Sequence, residues 1–159
     1  MLTFRSGLCN PTIPQTLNQQ ELAAKVVDKM YFNDPFSLWL GIERLEDGPG
    51  ISVLRMTVRR EMTNGFGIAH GGITYSLADS ALAFASNSHG RMAVSIETSI
   101  SHTAQVREGD VLTATAVEEF LSNKIANYRI EVKNQHGKVV ALFKGIVYRT
   151  GKEWELNEP

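Results

Sequence analysis

The chain has 159 residues, 43% of them hydrophobic, with 16 Lys plus Arg against 17 Asp plus Glu for a net charge of −1. A chain of this length buries roughly two thirds of its unfolded surface without disulfides or metals, and the lack of a dense basic run argues against a phosphate-tracking, nucleic-acid-binding function. The one cysteine, Cys9, permits no intramolecular disulfide, and no segment approaches the roughly twenty apolar residues of a membrane span or looks like a signal peptide, so a soluble, cytoplasmic, single-domain protein is expected.

Pro11 and Pro14 interrupt the first stretch. In TLNQQELAAKVVDKMYF, Leu22, Val26 and Met30, with Ala23 and Val27, recur at helical spacing, with Thr16 or Asn18 as the N-cap. Two strand-like runs, WLGIERLEDG and PGISVLRMTVRR, then flank Asp47-Gly48-Pro49-Gly50 and predict a hairpin. Residues 61–70, with Asn64, Gly65 and Gly67, read as a loop, and a long helix follows from about Gly71 to Ser88, ended by Asn87, Ser88 and Gly90. Beyond it lie four extended runs, AVSIETSIS, DVLTATAVEEFL, IANYRIEVKN and KVVALFKGIVYR, and a polar tail, GKEWELNEP, expected to fray. Without βαβ alternation this order predicts an α+β fold, an antiparallel sheet wrapped around one central helix.

On that helix Ile73, Leu77, Ala81 and Phe84 share a bulky face suited to lying on a concave sheet, whereas Gly72, Ser76, Asp79, Ala83 and Ser86 share a small, slightly polar one. Asp79 is the only charged residue from Gly65 to Ser88, which is unlike a solvent-facing helix. An ordinary exposed carboxylate, or one bonded to the hydroxyls of Ser76 and Ser80, is the plainer alternative. At the helix start the N–H groups of Gly71 and Gly72 lack internal partners and lie at the positive end of the dipole, where a developing oxyanion could be held. Glycines fitting a tight turn would look the same. Eight residues separate Gly71 from Asp79, about 12 Å along the axis, too far for both to touch one carbonyl. Cooperation between them therefore requires an antiparallel partner helix, and a two-fold dimer with composite sites is inferred.

Asn64, His70, Gly71, Gly72 and Asp79, followed by SLADSALAFASN, GDVLTATA and VALFKG in one order, resemble the hotdog-fold acyl-CoA thioesterases of the phenylacetic-acid-degradation (PaaI) type. The resemblance covers about residues 30–150. It implies hydrolysis of acyl-CoA thioesters, aryl-acetyl or other aromatic or medium-chain ones among them. Asp79 would act as general base or nucleophile, the Gly71 N–H would polarise the carbonyl, and Asn64 and His70 would orient the thioester, the loop and the attacking water. Gly72, Ser76 and Ser80 are the expected substrate contacts beside this machinery. It also implies a dimer of dimers. For the CoA phosphates Lys124 is the first candidate, with Arg91 and Lys144 after it, although ordinary surface charges would look the same.

His70 could equally serve as a plain helix cap. The four histidines, His70, His89, His102 and His136, show no paired ligand spacing, so neither a metal nor another cofactor is expected. No Gly-x-Ser-x-Gly elbow is present. The stretch Ser101-His102-Thr103-Ala104-Gln105 departs from the family pattern and leaves the acyl group open, with His102 expected to be an exposed strand residue. Two other functions stay in play: a hotdog enoyl-CoA hydratase, which would pair Asp79 with a nearby histidine, and a non-catalytic acyl-CoA-binding protein.

Overall fold

The computed structural model describes residues 17–156. Cys9, Pro11, Pro14 and Thr16 lie outside this range. The elements are α1 (Gln19–Phe32), α2 (Pro35–Leu40), β1 (Glu43–Gly48), β2 (Ile51–Thr57), a short 3-10 turn (Arg60–Met62), α3 (Gly71–Asn87), β3 (Arg91–His102), β4 (Val111–Leu121), β5 (Ile125–Lys133) and β6 (Val139–Glu153). Asn18 caps α1 by a reciprocal arrangement in which its side chain accepts from the Glu21 N–H and the Glu21 carboxylate accepts from the Asn18 N–H.

One expected strand is in part a helix. WLGIERLEDG reads as a single extended run, yet strand β1 begins only at Glu43 and Trp39 and Leu40 finish α2. The local cause is Asp34-Pro35. The Asp34 carboxylate accepts from the N–H groups of Phe36 and Ser37, proline occupies the first helical position, and Gly41 closes the turn at φ 73°. The hairpin at Gly48 forms as expected, with Gly48 opposite Ile51.

The six strands make one antiparallel sheet in the order β1-β2-β4-β5-β6-β3. The connection through α3 carries the chain from β2 to the opposite edge, which wraps the sheet around the helix. Leu77, Ala81 and Phe84 of α3 are fully buried against Leu54, Met56, Ala114, Ile130 and Phe143, and Ile73 packs partly buried at the rim. This is the hotdog arrangement. Gly145 of β6 lies against the Leu82 side chain of α3, leaving no room for a Cβ.

The small face of α3 behaves differently. Ser76, Asp79 and Ala83 are half-buried and Gly72 is exposed, while Ser86 is buried. Strand β3 pairs only with β6 and has no neighbour on its outer side among the described residues. Val94 and Ile96 on it are 55% and 59% exposed, unusually open for β-branched residues of a long strand.

The tail does not fray at its start. Strand β6 runs on to Glu153, the Trp154 N–H donates to the Gly90 carbonyl at 2.8 Å, and the Trp154 indole N–H donates to Asn87 Oδ1 at 2.9 Å. Among the described residues no helix is long and apolar enough to cross a membrane.

Candidate active site

Asp79 faces the space between α3 and the α1–α2 pair. It lines a cavity of about 560 Å³ with Ser76 and Ser80 of its own helix, Met30 of α1, Phe36 of α2 and Trp154 beyond β6, a size typical of small-molecule sites, roughly 300–1,000 Å³. The neighbouring hydroxyls are committed elsewhere. Ser76 Oγ donates to the Gly72 carbonyl at 2.7 Å, and Ser80 Oγ lies 3.1 Å from Ser37 Oγ, which in turn donates to the capping carboxylate of Asp34 at 2.5 Å. The expected alternative of an Asp79 carboxylate tied to Ser76 and Ser80 is thus not what forms. Among the described residues the carboxylate has no hydrogen-bond or ion-pair partner, and burial without compensation raises its pKa above the ordinary carboxylate value. Such a group is a better proton acceptor than a solvated carboxylate.

The loop before α3 is held rigidly. The Asn64 N–H donates to the Ile68 carbonyl at 2.8 Å, Asn64 Oδ1 accepts from the Phe66 N–H at 2.9 Å, and the His70 N–H donates to the Met62 carbonyl at 2.8 Å. With its oxygen used inside the loop, the Asn64 side chain has its amide N–H groups to offer outward. His70 is the N-cap of α3, its Nδ1 accepting from the Gly72 N–H at 3.0 Å. That bond satisfies Gly72, whereas the Gly71 N–H has no acceptor among the described residues. Of the two glycine N–H groups, Gly71 supplies the available donor.

Asn64, Gly71, Thr74 and His102 line a second cavity, of about 440 Å³. His102 is, as expected, an exposed strand residue, the last of β3, and it reaches this cavity because β3 ends beside the start of α3; a Cβ at Gly71 would lie 3.1 Å from His102 Nε2. Neither Asn64 nor Gly71 lines the Asp79 cavity, and Asp79 does not line theirs.

The basic candidates stand apart from both cavities. Lys124, in the β4–β5 turn, sits 5.5 Å above the Tyr148 ring centre, Arg91 donates to Asn123 Oδ1 at 2.9 Å, and Lys144 is exposed on the sheet. His89 Nε2 lies 2.7 Å from Glu118 Oε2, which also accepts from the Tyr128 hydroxyl at 2.6 Å, so within one protomer it is engaged beyond the far end of α3 and not with Asp79. Among the described residues no group of three or more His, Cys, Asp or Glu side chains could hold a metal ion. Met30, Phe36 and Trp154 were not singled out as site residues by sequence reasoning, and only the Asp34-Pro35 cap signal could have drawn attention to Phe36.

A sheet wrapped around one helix, with a half-buried carboxylate at mid-helix and a glycine N–H at its start, defines a hotdog-fold hydrolase. Residues 66–141 match the family model of the thioesterase superfamily. The acyl-coenzyme A thioesterase PaaI of Escherichia coli K12 is 42% identical over 77% of this chain and 87% of its own length. The structure of the E. coli PaaI protein from the phenylacetic acid degradation operon superposes with a TM-score of 0.84 at 38% identity, covering 86% of this chain and 99% of that one. A mutant form of the phenylacetic acid degradation protein PaaI of Thermus thermophilus gives 0.71 at 43% identity over 74% of this chain and 100% of that one. A Streptococcus mutans UA159 protein bound to acetyl CoA gives 0.69 at 25% identity over 71% and 91%. The chain belongs to the thioesterase superfamily, in its hotdog-fold, PaaI-like type, and is a thioester hydrolase.

Proposed function

We propose that the chain hydrolyses acyl-CoA thioesters to free acid and CoA at a site shared by two copies. Asp79 of one copy acts as general base or nucleophile, and Asn64 and Gly71 of the other hold the thioester carbonyl. The observation that carries this reading is the division of the machinery within one protomer: the uncompensated carboxylate lines one cavity and the free Gly71 N–H another. A thioester is electrophilic and its thiolate leaves readily, so one carboxylate and an oxyanion donor suffice for the reaction. Acyl-CoA as the substrate class is supported by the E. coli relative and by the acetyl CoA bound to the S. mutans neighbour.

The open outer edge of β3, with Val94 and Ile96 exposed, supports pairing with a second copy. Antiparallel pairing there would set the two α3 helices side by side, small face to small face, bringing each Asp79 towards the partner's loop. A dimer of dimers, Lys124 at the CoA phosphates and a cytoplasmic setting extend this reading by family resemblance. The walls of the Asp79 cavity, Met30, Phe36, Phe84 and Trp154, suit an aromatic or medium-chain acyl group. Thiol release from phenylacetyl-, benzoyl- and straight-chain acyl-CoAs tests the proposal. Hydrolysis of at least one of them that is lost in Asp79→Asn is expected, and acyl-CoA binding without turnover would replace hydrolysis with a carrier role.

A further inference from the structure

Beyond the residues that perform hydrolysis, one side chain stands where it can decide which acyl groups enter. The 560 Å³ cavity beside Asp79 has a neighbour of about 370 Å³ that runs between α3 and the start of β3, lined by Leu82, Ala93, Ser95 and Val147 among others. Four residues line both: Met30, Asp79, Ala83 and Trp154. Ala83 is too small to part them, and Met30 is a flexible thioether chain. Trp154 is the rigid, bulky member of the set.

Its position is fixed by bonds to three elements. Asn87 is 3% exposed, and its Oδ1 accepts both the Trp154 indole N–H and the Ala93 N–H, each at 2.9 Å. The Asn87 amide in turn donates to the carbonyls of Ala83 and Ala93, each at 3.0 Å, so the acceptor cannot turn away. The backbone on either side is tied as well: the Trp154 N–H donates to the Gly90 carbonyl at 2.8 Å, and Lys29 Nζ of α1 donates to the Glu155 carbonyl. An indole held at both its ring N–H and its backbone makes a wall, not a mobile flap.

We propose that Trp154 is a specificity-determining residue: its ring closes the acyl chamber at Asp79 on the β3 side and admits compact aromatic or medium-chain groups while excluding long chains. The proposal rests on the reading of Asp79 as the reacting carboxylate. In Trp154→Ala the two cavities merge, and an acyl chain can continue from Asp79 towards Val147.

The test is kcat/KM for phenylacetyl-, hexanoyl- and palmitoyl-CoA in wild type, Trp154→Ala, Trp154→Leu and Trp154→Phe. Trp154→Ala is expected to raise the palmitoyl-to-phenylacetyl ratio about tenfold or more, the usual scale for a change of pocket volume, with the change carried largely by KM. Trp154→Phe, which keeps a ring but loses the N–H, is expected to keep the ratio within a factor of about three. Trp154→Leu supplies the same comparison if the alanine variant does not fold. An equal loss on all three substrates, or an unchanged ratio, would overturn the proposal and make Trp154 a structural clamp. Wild-type hydrolysis and its loss in Asp79→Asn are measured alongside. A full rate in Asp79→Asn sinks the catalytic reading, whereas a flat ratio with Asp79→Asn inactive sinks only the role of Trp154.

Discussion

Gly71 and Asp79 belong to one helix and line two separate cavities, one at its start and one at its middle. A helix rises about 1.5 Å per residue, so this separation is built into the α-helix itself. If two copies share their sites, two inactive proteins repair each other. Asp79→Asn and Asn64→Ala are each expected to be nearly inactive alone. Their 1:1 co-refolded mixture should recover about a quarter of wild-type activity, because half of the dimers are mixed and each mixed dimer has one intact site. Recovery of nothing, with mixed dimers demonstrated by mass, would place the whole site within one chain.

Asp79→Asn is expected to cut kcat by about 10²–10⁴-fold, the usual contribution of a positioned base. The wild-type rate should fall as pH drops through a pKa above the ordinary carboxylate value, since burial raises that of Asp79. The stability effect has the opposite sense. A carboxyl whose folded pKa lies above its unfolded one binds its proton more readily when folded, so its contribution to stability declines as pH rises through that window. Asp79→Asn should therefore melt at a higher temperature than wild type at pH 7, with the difference narrowing towards about pH 4, where the unfolded carboxyl protonates. Melting curves across pH check both the sign and the window.

Gly71→Ala keeps the backbone N–H and improves local helix propensity. Its added Cβ would lie 3.1 Å from His102 Nε2, and the imidazole must move. A loss of kcat/KM of about tenfold, or roughly 1.4 kcal/mol, is expected. The same change should cost less in a His102→Ala background, and the double-mutant cycle measures the coupling.

Gly145→Ala addresses the core and not the site. A Cβ there would overlap the Leu82 side chain, and overpacking of this kind costs about 1–3 kcal/mol. Because Leu82→Ala vacates the same space, the double variant should be more stable than the sum of the single losses implies. Urea denaturation gives the comparison.

Much of this architecture was legible in the sequence because it rests on local period and punctuation. The 3.6-residue pattern of α3, its lack of charge apart from Asp79, and the turn residues between strands all act within a few positions. α2 was misread because Trp39, Leu40 and Ile42 look like a strand when Asp34-Pro35 is not weighed as a helix start. Trp154 was misjudged, and the place of His102 beside Gly71 was not foreseen, for another reason. His102 meets Gly71 only because β3 ends beside the helix start, and Trp154 meets Asn87 across 67 positions of sequence. No period or spacing encodes such meetings. The neighbours of Asp79 were half legible: Ser76 and Ser80 were expected, but their hydroxyls turn to Gly72 and Ser37.

The contact between Ser37 and Ser80 has a consequence for how this pocket can diversify. It pins α2 to the residue directly after Asp79, while Phe36, one position before Ser37, lines the cavity beside Asp79. Peg and wall are adjacent in the chain but separable in role. Position 36 can accept residues of different size and retune the chamber, provided Asp34 and Ser37 hold the short helix in register. On the proposed reading of this cavity as the acyl site, new acyl preferences are therefore reachable by single changes that leave the carboxylate where it is.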